Sequence, residues 1–242
     1  MHIRNGSRTG DNDMNNQTAT LEPMIDVDRL RPGEPLILQG LTWQDYLAIS
    51  ESLADRRFRI SFADNEMEIL MPSMIHEFWA DLLGDLIKAL AAEFKIPVIS
   101  LRSLTWTRED LEKAVEPDNC YYLTSAPRML GKTTVDLAVD PPPDLAIEIE
   151  VSRSSGRQLS IYAAMGVPEV WRCDTEEVTV HQLTAEGDYE VSPHSRYFPR
   201  MPMNEFTRFI GMRDRLFDND IVDAFRAWVR EQITIDWKGT SP

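Results

Sequence analysis

Three acidic residues have the spacing of a metal site. Asp118 follows a proline, and Glu148 and Glu150 lie further along in an otherwise apolar run. That run predicts a strand covered on both sides. Residues two apart on a strand point to the same face, so Glu148 and Glu150 share one. Because burying unpaired carboxylates is costly, that face must meet a cation or a cleft. Hard oxygen ligands suit Mg²⁺ or Mn²⁺.

The chemistry of such a site is phosphoryl transfer. If the strand after Pro117 pairs with the strand around Glu148, then Asp118, Glu148 and the backbone carbonyl of Ile149 could converge on one cation. The metal would activate a water and stabilise charge on a phosphoryl transition state. Glu150 would orient that water or act as a base. The alternative is that Glu148 and Glu150 lie on the exposed face of an edge strand.

Other polar and aromatic side chains are candidates beside these carboxylates, and Glu68, at the end of a predicted strand, is one of them. His76, near the start of a long predicted helix, could carry a proton or support a carboxylate; it could equally pack on the core. Tyr162 is interpreted as a core residue of the helix after Glu150. Arg102 and Arg108 could contact phosphate, although a solvated charged face explains them as well.

The positioning elements follow from hydrophobic periodicity and capping signals. Helices are predicted over residues 43–54, 76–94, 108–113 and 220–232, with a further helix beginning at Ser154 or Ser155 and ending at Gly166. Strands are predicted over 58–62, 67–70, 97–101, 117–123, 144–151, 169–173, 178–183 and 189–192. This mixed order, with a helix between two strands after Glu150, indicates an α/β fold.

Composition bounds the class of protein. The 242 residues carry 25 Lys and Arg against 40 Asp and Glu, a net charge of −15. This argues against attraction to phosphate over the whole surface but leaves room for a local basic groove. Residues 1–20 are predicted to be a disordered polar tail, and 21–242 one domain with a C-terminal helix. No stretch is apolar enough to cross a membrane, and Cys120 and Cys173 are expected to be reduced thiols of a cytoplasmic protein.

Several motifs occur in a characteristic order. They are Thr42-Trp43, the segment 68–72, His76-Glu77, Glu116-Pro117-Asp118, the segment 142–149, and the segment 162–171. From Thr42 to about Leu183 the chain resembles the Uma-type restriction endonuclease family of the PD-(D/E)XK nuclease superfamily. The resemblance implies a restriction-endonuclease-like core, a mixed β-sheet flanked by helices. It places Asp118 on the metal-binding aspartate of the motif and Glu148 on its second acidic position.

The same resemblance marks one departure and one more candidate. Glu150 stands where the superfamily motif usually has a lysine that positions the attacking water, although some members have glutamate there. A substitute cation could come from Arg153, Arg157 or Lys132. The first helix of the superfamily often supplies an acidic residue, which makes Glu77 a candidate.

The function that the resemblance implies is a Mg²⁺- or Mn²⁺-dependent endonuclease that hydrolyses DNA. The alternative is a catalytically inactive nuclease fold that serves as a binding or assembly module, motivated by the missing lysine and the negative charge. Nucleases that cut both strands often pair, so a homodimer is expected. The final helix, with Phe225 and Trp228, could form the contact or could pack on its own domain.

Overall fold

The fold is described from a computed structural model, over residues 30–150 and 156–232. The predicted tail, Arg153 and the serines expected to begin a helix lie outside the described residues. The helices are α1 (Trp43–Ser52), α2 (Met74–Glu93), α3 (Ala126–Met129), α4 (Arg157–Met165), α5 (Asn204–Ile210) and α6 (Asp218–Gln232). The strands are β1 (Pro35–Gln39), β2 (Arg59–Ala63), β3 (Glu66–Leu70), β4 (Ile99–Ser100), β5 (Trp106–Arg108), β6 (Lys113–Val115), β7 (Asn119–Tyr122), β8 (Leu145–Ile149), β9 (Glu169–Cys173), β10 (Val178–Leu183) and β11 (Tyr189–Ser192).

The described strands form two sheets. A six-stranded sheet has the order β11-β10-β9-β8-β7-β4 and is mixed, because β8 and β9 run parallel while the other pairs are antiparallel. The parallel pair requires a crossover, which α4 supplies. The predicted mixed sheet flanked by helices is therefore confirmed. Beside it lies a five-stranded antiparallel sheet of order β1-β3-β2-β6-β5, which the sequence analysis did not separate from the first.

Helix α2 packs against the six-stranded sheet and against α5 and α6. The Ser73 side chain caps it by accepting from the His76 backbone N–H. Its apolar stripe is fully buried against β8, α5 and α6. Where α2 meets β7 it has a glycine: a Cβ on Gly84 would lie 3.1 Å from the Tyr121 hydroxyl and 3.3 Å from the Asn119 amide nitrogen. The Asn119 side chain donates to the Ala80 carbonyl at 2.6 Å. This close approach fixes the middle of α2 beside the strand that follows Asp118.

The predicted helix over 108–113 is wrong. Strands β5 and β6 pair antiparallel there, joined by a short 3₁₀ segment, Glu109–Leu111. Glu112 has a φ of 47°, a left-handed conformation that ends the 3₁₀ segment and turns the chain back. Arg108 donates twice to Asp110 at 2.7 Å, which ties the turn together. The buried apolar residues lie on either side of the predicted range, Trp106 on β5 and Ala114 and Val115 on β6, while Leu111 between them is exposed. A stretch of so few residues does not distinguish a helical period from a strand period.

The C-terminal helix packs on its own chain, so its apolar face is not the exposed dimer contact considered from sequence. Phe225 of α6 is fully buried, and its ring lies 5.7 Å from the Phe206 ring and 5.1 Å from the Phe209 ring. Trp228 packs partly against the same cluster. Arg226 and Arg230 both donate to Glu93 at the end of α2. The second alternative, packing on its own domain, is the one observed.

Cys120 and Cys173 are both buried and carry free thiols. Among the helices of the described ranges, none has the length and apolarity needed to span a bilayer.

Candidate active site

Strands β7 and β8 bring the central carboxylates together. They pair antiparallel, with Asn119 opposite Ile147. The two strands are therefore neighbours, which is the condition that the sequence-derived site requires. Just before β7, the Asp118 backbone N–H donates to the Ile147 carbonyl at 3.1 Å. Its carboxylate accepts from the Ile149 backbone N–H at 2.7 Å. The Asp118 side chain is thus fixed directly against the strand that carries Glu148.

A cleft at this end of the strands is lined mainly by polar residues. Its carboxylates are Glu68, Glu116, Asp118, Glu148 and Glu150, and it is also lined by Arg59, His76, Ile149 and Gln158. The structure places in this cleft six of the residues singled out from sequence: Glu68, His76, Asp118, Glu148, Ile149 and Glu150. The remaining candidate, Glu77, lies outside it, with a side chain that is 54% exposed. Glu148 and Glu150 therefore face a cleft and not the open surface of an edge strand.

Glu148 is half-buried in the cleft and accepts a hydrogen bond from the Tyr162 hydroxyl of α4. Burial raises the pKa of Glu148 well above its usual value, and the negative charge of Asp118 raises it further, while the Tyr162 hydroxyl lowers it. Burial together with the Glu148 carboxylate raises the pKa of Tyr162 as well, so the phenol stays protonated and donates. The pair is poised to lose a proton when a cation approaches.

The hydrogen bonds from α4 to the carboxylates of the cleft were not predicted from the sequence. Tyr162 is fully buried, as predicted, but its hydroxyl reaches Glu148. One turn earlier on the same helix, Gln158 donates to Glu68 at 2.9 Å. A polar residue and a tyrosine four apart, on the helix that directly follows the acidic strand, share a helix face. That spacing was the available signal.

Glu150 enters the cleft with its charge already compensated. Arg172 on β9 donates to the Glu150 carboxylate at 2.5 Å through Nε. The Glu150 backbone N–H donates to the Cys173 carbonyl at 2.8 Å. Two of the cations considered from sequence as substitutes for the motif lysine pair with other acids, Arg157 with Glu66 and Lys132 with Asp140. Arg172 was missed because it lies on the next strand, beyond a crossover.

Arg59 is a second cation that the sequence did not reveal. Its Nη1 lies 3.3 Å from Glu116, its Nε 3.4 Å from Asp118, and its Nη2 3.5 Å from Glu77. It comes from β2 of the other sheet, far from the motif in sequence. His76 contacts the same aspartate, with Nε2 3.1 Å from Asp118 Oδ2. Of the alternatives for this histidine, the geometry favours support of a carboxylate.

Glu116 is the remaining acid that sequence analysis did not propose as a site residue. Burial raises its pKa to about 7, since Arg59 only partly offsets the desolvation and the nearby Asp118 adds repulsion. Glu116 and Glu148 are thus two carboxyl groups of the cleft whose pKa values are raised, in both cases chiefly by burial.

The donor set suits a hard divalent cation. All candidate ligands are oxygens, and the raised pKa of Glu148 reflects a negative charge that a bound cation would stabilise. Within the described ranges, no three His, Cys, Asp or Glu side chains are arranged to hold an ion together. Mg²⁺ commonly uses one or two carboxylates and completes its shell with water and substrate phosphate. The cleft contains Asp118 and Glu148, two carboxylates on neighbouring strands.

A family model covers the part of the chain in which most of these motifs lie. No curated protein matches the chain. A crystal structure described as a "putative nuclease belonging to DUF820" from Anabaena variabilis is similar at 16% identity and a TM-score of 0.45, over 76% of this chain and 99% of that one. Residues 43–207, more than half of the chain, match the family model described as "Putative restriction endonuclease". This stretch includes Asp118, Glu148 and Glu150, and the chain therefore belongs to the Uma2 family.

Proposed function

We propose that this protein is a metal-dependent endonuclease that hydrolyses DNA phosphodiester bonds. Asp118 and Glu148, with the Ile149 carbonyl, would hold Mg²⁺ or Mn²⁺. The observation that carries the proposal is the contact between the Asp118 carboxylate and the backbone of the strand that bears Glu148. Membership of the Uma2 family supports the same reaction class.

The reaction is a hydrolysis at phosphorus. A water oxygen forms a bond to phosphorus, the bond from phosphorus to one sugar oxygen breaks, and the leaving oxygen takes up a proton. When bound, the metal ion supplies Lewis acidity and a water activated for attack. Glu150 accepts or orients the proton of that water, and Arg172 keeps the Glu150 carboxylate in place. His76 holds Asp118 in the orientation that a metal ligand needs.

Glu77 has a different role in this proposal from the one suggested by the family resemblance. Its carboxylate lies outside the cleft and contacts Arg59 at 3.5 Å. It is 3.9 Å from His76 Nδ1. We assign it to positioning these two side chains and not to direct contact with the substrate.

The substrate partner is DNA, and cutting of both strands would be carried out by a homodimer in the cytoplasm. The apolar face of α6 is buried within the chain, so the dimer contact would lie elsewhere. Sedimentation velocity at micromolar concentration checks this expectation, which a monomer in the presence of DNA and metal would contradict.

The function is tested by plasmid cleavage with Mg²⁺ or Mn²⁺. Asp118→Asn and Glu148→Gln remove the charge of a proposed metal ligand and keep the shape of the side chain. Each is expected to slow cleavage by about 100-fold or more, because loss of a residue that only supports a metal ligand already costs about 10- to 100-fold. Glu186→Gln, a change of the same charge at an exposed turn, is the matched control. Cleavage that persists in both cleft variants would remove the assignment.

A second candidate is a catalytically inactive nuclease fold that serves as a binding or assembly module. The pairing of Glu150 with Arg172 favours this module, because Arg172 already neutralises the charge of the Glu150 carboxylate. Titration calorimetry separates the two functions. Binding of Mn²⁺ that is lost in Asp118→Asn supports the enzyme, and no binding at millimolar metal supports the module.

A further inference from the structure

The charge of the cleft opposes its proposed substrate. Five carboxylates line it, and Arg59 is the one Lys or Arg among its described lining residues. A phosphodiester carries a negative charge, and like charges in a partly buried site repel strongly. A bound divalent cation offsets two of those charges. The remaining attraction for the phosphate must come from a fixed cation, and Arg59 is the described residue in position to supply it.

Arg59 is held in place without being enclosed. Three carboxylates from α2 and from the segment before β7 surround its guanidinium, yet its side chain keeps 18% of its surface exposed. Its contacts with Glu116 and Asp118, at 3.3 and 3.4 Å, are longer than the roughly 2.7–2.9 Å of strong charge-assisted hydrogen bonds. The group is thus oriented by several weak contacts and can still approach an anion.

Arg59 also joins the cleft to a neighbouring groove. That groove is lined by four arginines, Arg56, Arg57, Arg59 and Arg102, and it shares Glu116 and Asp118 with the cleft. Glu77 and Asp81 are the other acidic residues along it. Its four arginines balance its four carboxylates, so this groove is formally neutral in a chain of net charge −15 and ends at the proposed metal site. A nucleic acid backbone lying along it would bring one phosphate to Arg59.

We propose, on the basis of the proposed function, that Arg59 binds the phosphate to be cleaved. It supplies the fixed positive charge that is missing at position 150, where the resemblance would place a lysine. The guanidinium approaches from β2, across the cleft from Glu150 on the β8 side, and its planar fork suits two phosphate oxygens. Arg56, Arg57 and Arg102 contact the adjoining backbone.

Arg59 is expected to weaken binding of the metal ion, whereas it strengthens binding of the phosphate. Arg59 already pairs with Asp118. It therefore competes with a metal ion for the Asp118 carboxylate, and its positive charge repels the ion. Removing the Arg59 charge is therefore expected to leave Mn²⁺ affinity unchanged or tighter while DNA cleavage falls. A residue that merely supported Asp118 would give the reverse result, a loss of both metal affinity and cleavage.

The test compares Arg59→Gln with Arg128→Gln, an equal charge change at an exposed position on α3 outside both the cleft and the groove. Three measurements are made: single-turnover cleavage with Mg²⁺, anisotropy of a fluorescein-labelled duplex in Ca²⁺ over a salt series, and Mn²⁺ calorimetry without DNA. For Arg59→Gln we expect cleavage about 100-fold slower, a salt slope lower by about 0.9, and Mn²⁺ affinity at least as tight as wild type. Arg128→Gln should match wild type throughout.

The outcomes separate the two proposals. Wild type that binds the duplex without cutting it overturns the nuclease function, and the anisotropy series then decides the role of Arg59. Cleavage and salt slope unchanged in Arg59→Gln overturn the inference, as does loss of Mn²⁺ binding in that variant. If Arg59→Gln does not fold, Arg59→Lys decides: about 10-fold slower cleavage is expected because an ammonium cannot contact two phosphate oxygens as a fork, and cleavage at the wild-type rate overturns the proposal.

Discussion

The substitution Glu148→Gln should stabilise the metal-free protein as pH rises. Burial and the Asp118 charge raise the pKa of Glu148 well above its ordinary value of 4.5. The folded chain therefore keeps a proton on this carboxyl at pH values where the unfolded chain has lost it. Glutamine has the same shape, keeps an acceptor for the Tyr162 hydroxyl, and carries no titrating proton.

The size of the effect follows from proton linkage. Below about pH 4.5 both chains are neutral at this position, and their stabilities run in parallel. Above about pH 4.5 the folded wild type holds one more proton than the unfolded wild type. Its free energy of unfolding therefore falls as pH rises, until the pKa of Glu148 in the folded state is passed. One proton corresponds to about 1.4 kcal/mol per pH unit. For a chain of this size that is roughly 3–6 °C in melting temperature per pH unit.

Urea unfolding in EDTA at pH 5, 6 and 7 measures the difference between variant and wild type. The difference should grow with pH at a slope approaching the one-proton value, because contributions from other groups cancel. Adding Mn²⁺ should shift the difference back toward wild type at each pH, because at about 100 times its dissociation constant it stabilises wild type by about 2.7 kcal/mol and the variant little. A difference that stays flat between pH 5 and 7 would refute the reasoning that Glu148 is protonated in the metal-free fold.

Three further outcomes are expected. Tyr162→Phe removes the hydroxyl that stabilises ionised Glu148, so Mn²⁺ affinity at pH 7 should fall about 10-fold by calorimetry; an unchanged affinity would contradict this role. Because the pKa of Glu116 is raised to about 7, wild type should lose stability between about pH 4.5 and 7, and Glu116→Gln should flatten urea-derived stability in that window. Phe225→Ala should cost about 3–5 kcal/mol in unfolding free energy without changing the sedimentation coefficient, whereas dissociation of an oligomer would show that α6 contacts another chain.

Local patterns predicted the elements that position the site. Helix α1 begins at a capping box of Thr42 and Asp45, a pattern that is local in the sequence. The turn at Asp64 and Asn65 joins β2 to β3, with both residues at positive φ. The apolar run around Glu148 forms a central strand, and its pairing with the strand after Asp118 follows. These features depend on neighbours in sequence, where periodicity and turn chemistry act directly.

The charge partners of the site could not be predicted in the same way. Arg172 reaches Glu150 across a parallel strand pair, and Arg59 reaches Asp118 from a different sheet. An arginine side chain is long, and its partner is decided by tertiary packing and not by sequence spacing. The candidates chosen from sequence, Arg157 and Lys132, lie nearer in the chain but pair with other acids.

The central claim concerns one cation between Asp118 and Glu148. Crystals soaked in Mn²⁺ and recorded at the manganese absorption edge test it most directly, since the anomalous signal locates the ion without assumptions about activity. The account predicts one peak bound by both carboxylates, with Glu150 still paired to Arg172. A cleft without a peak at saturating Mn²⁺, or a peak held by other residues alone, would contradict it.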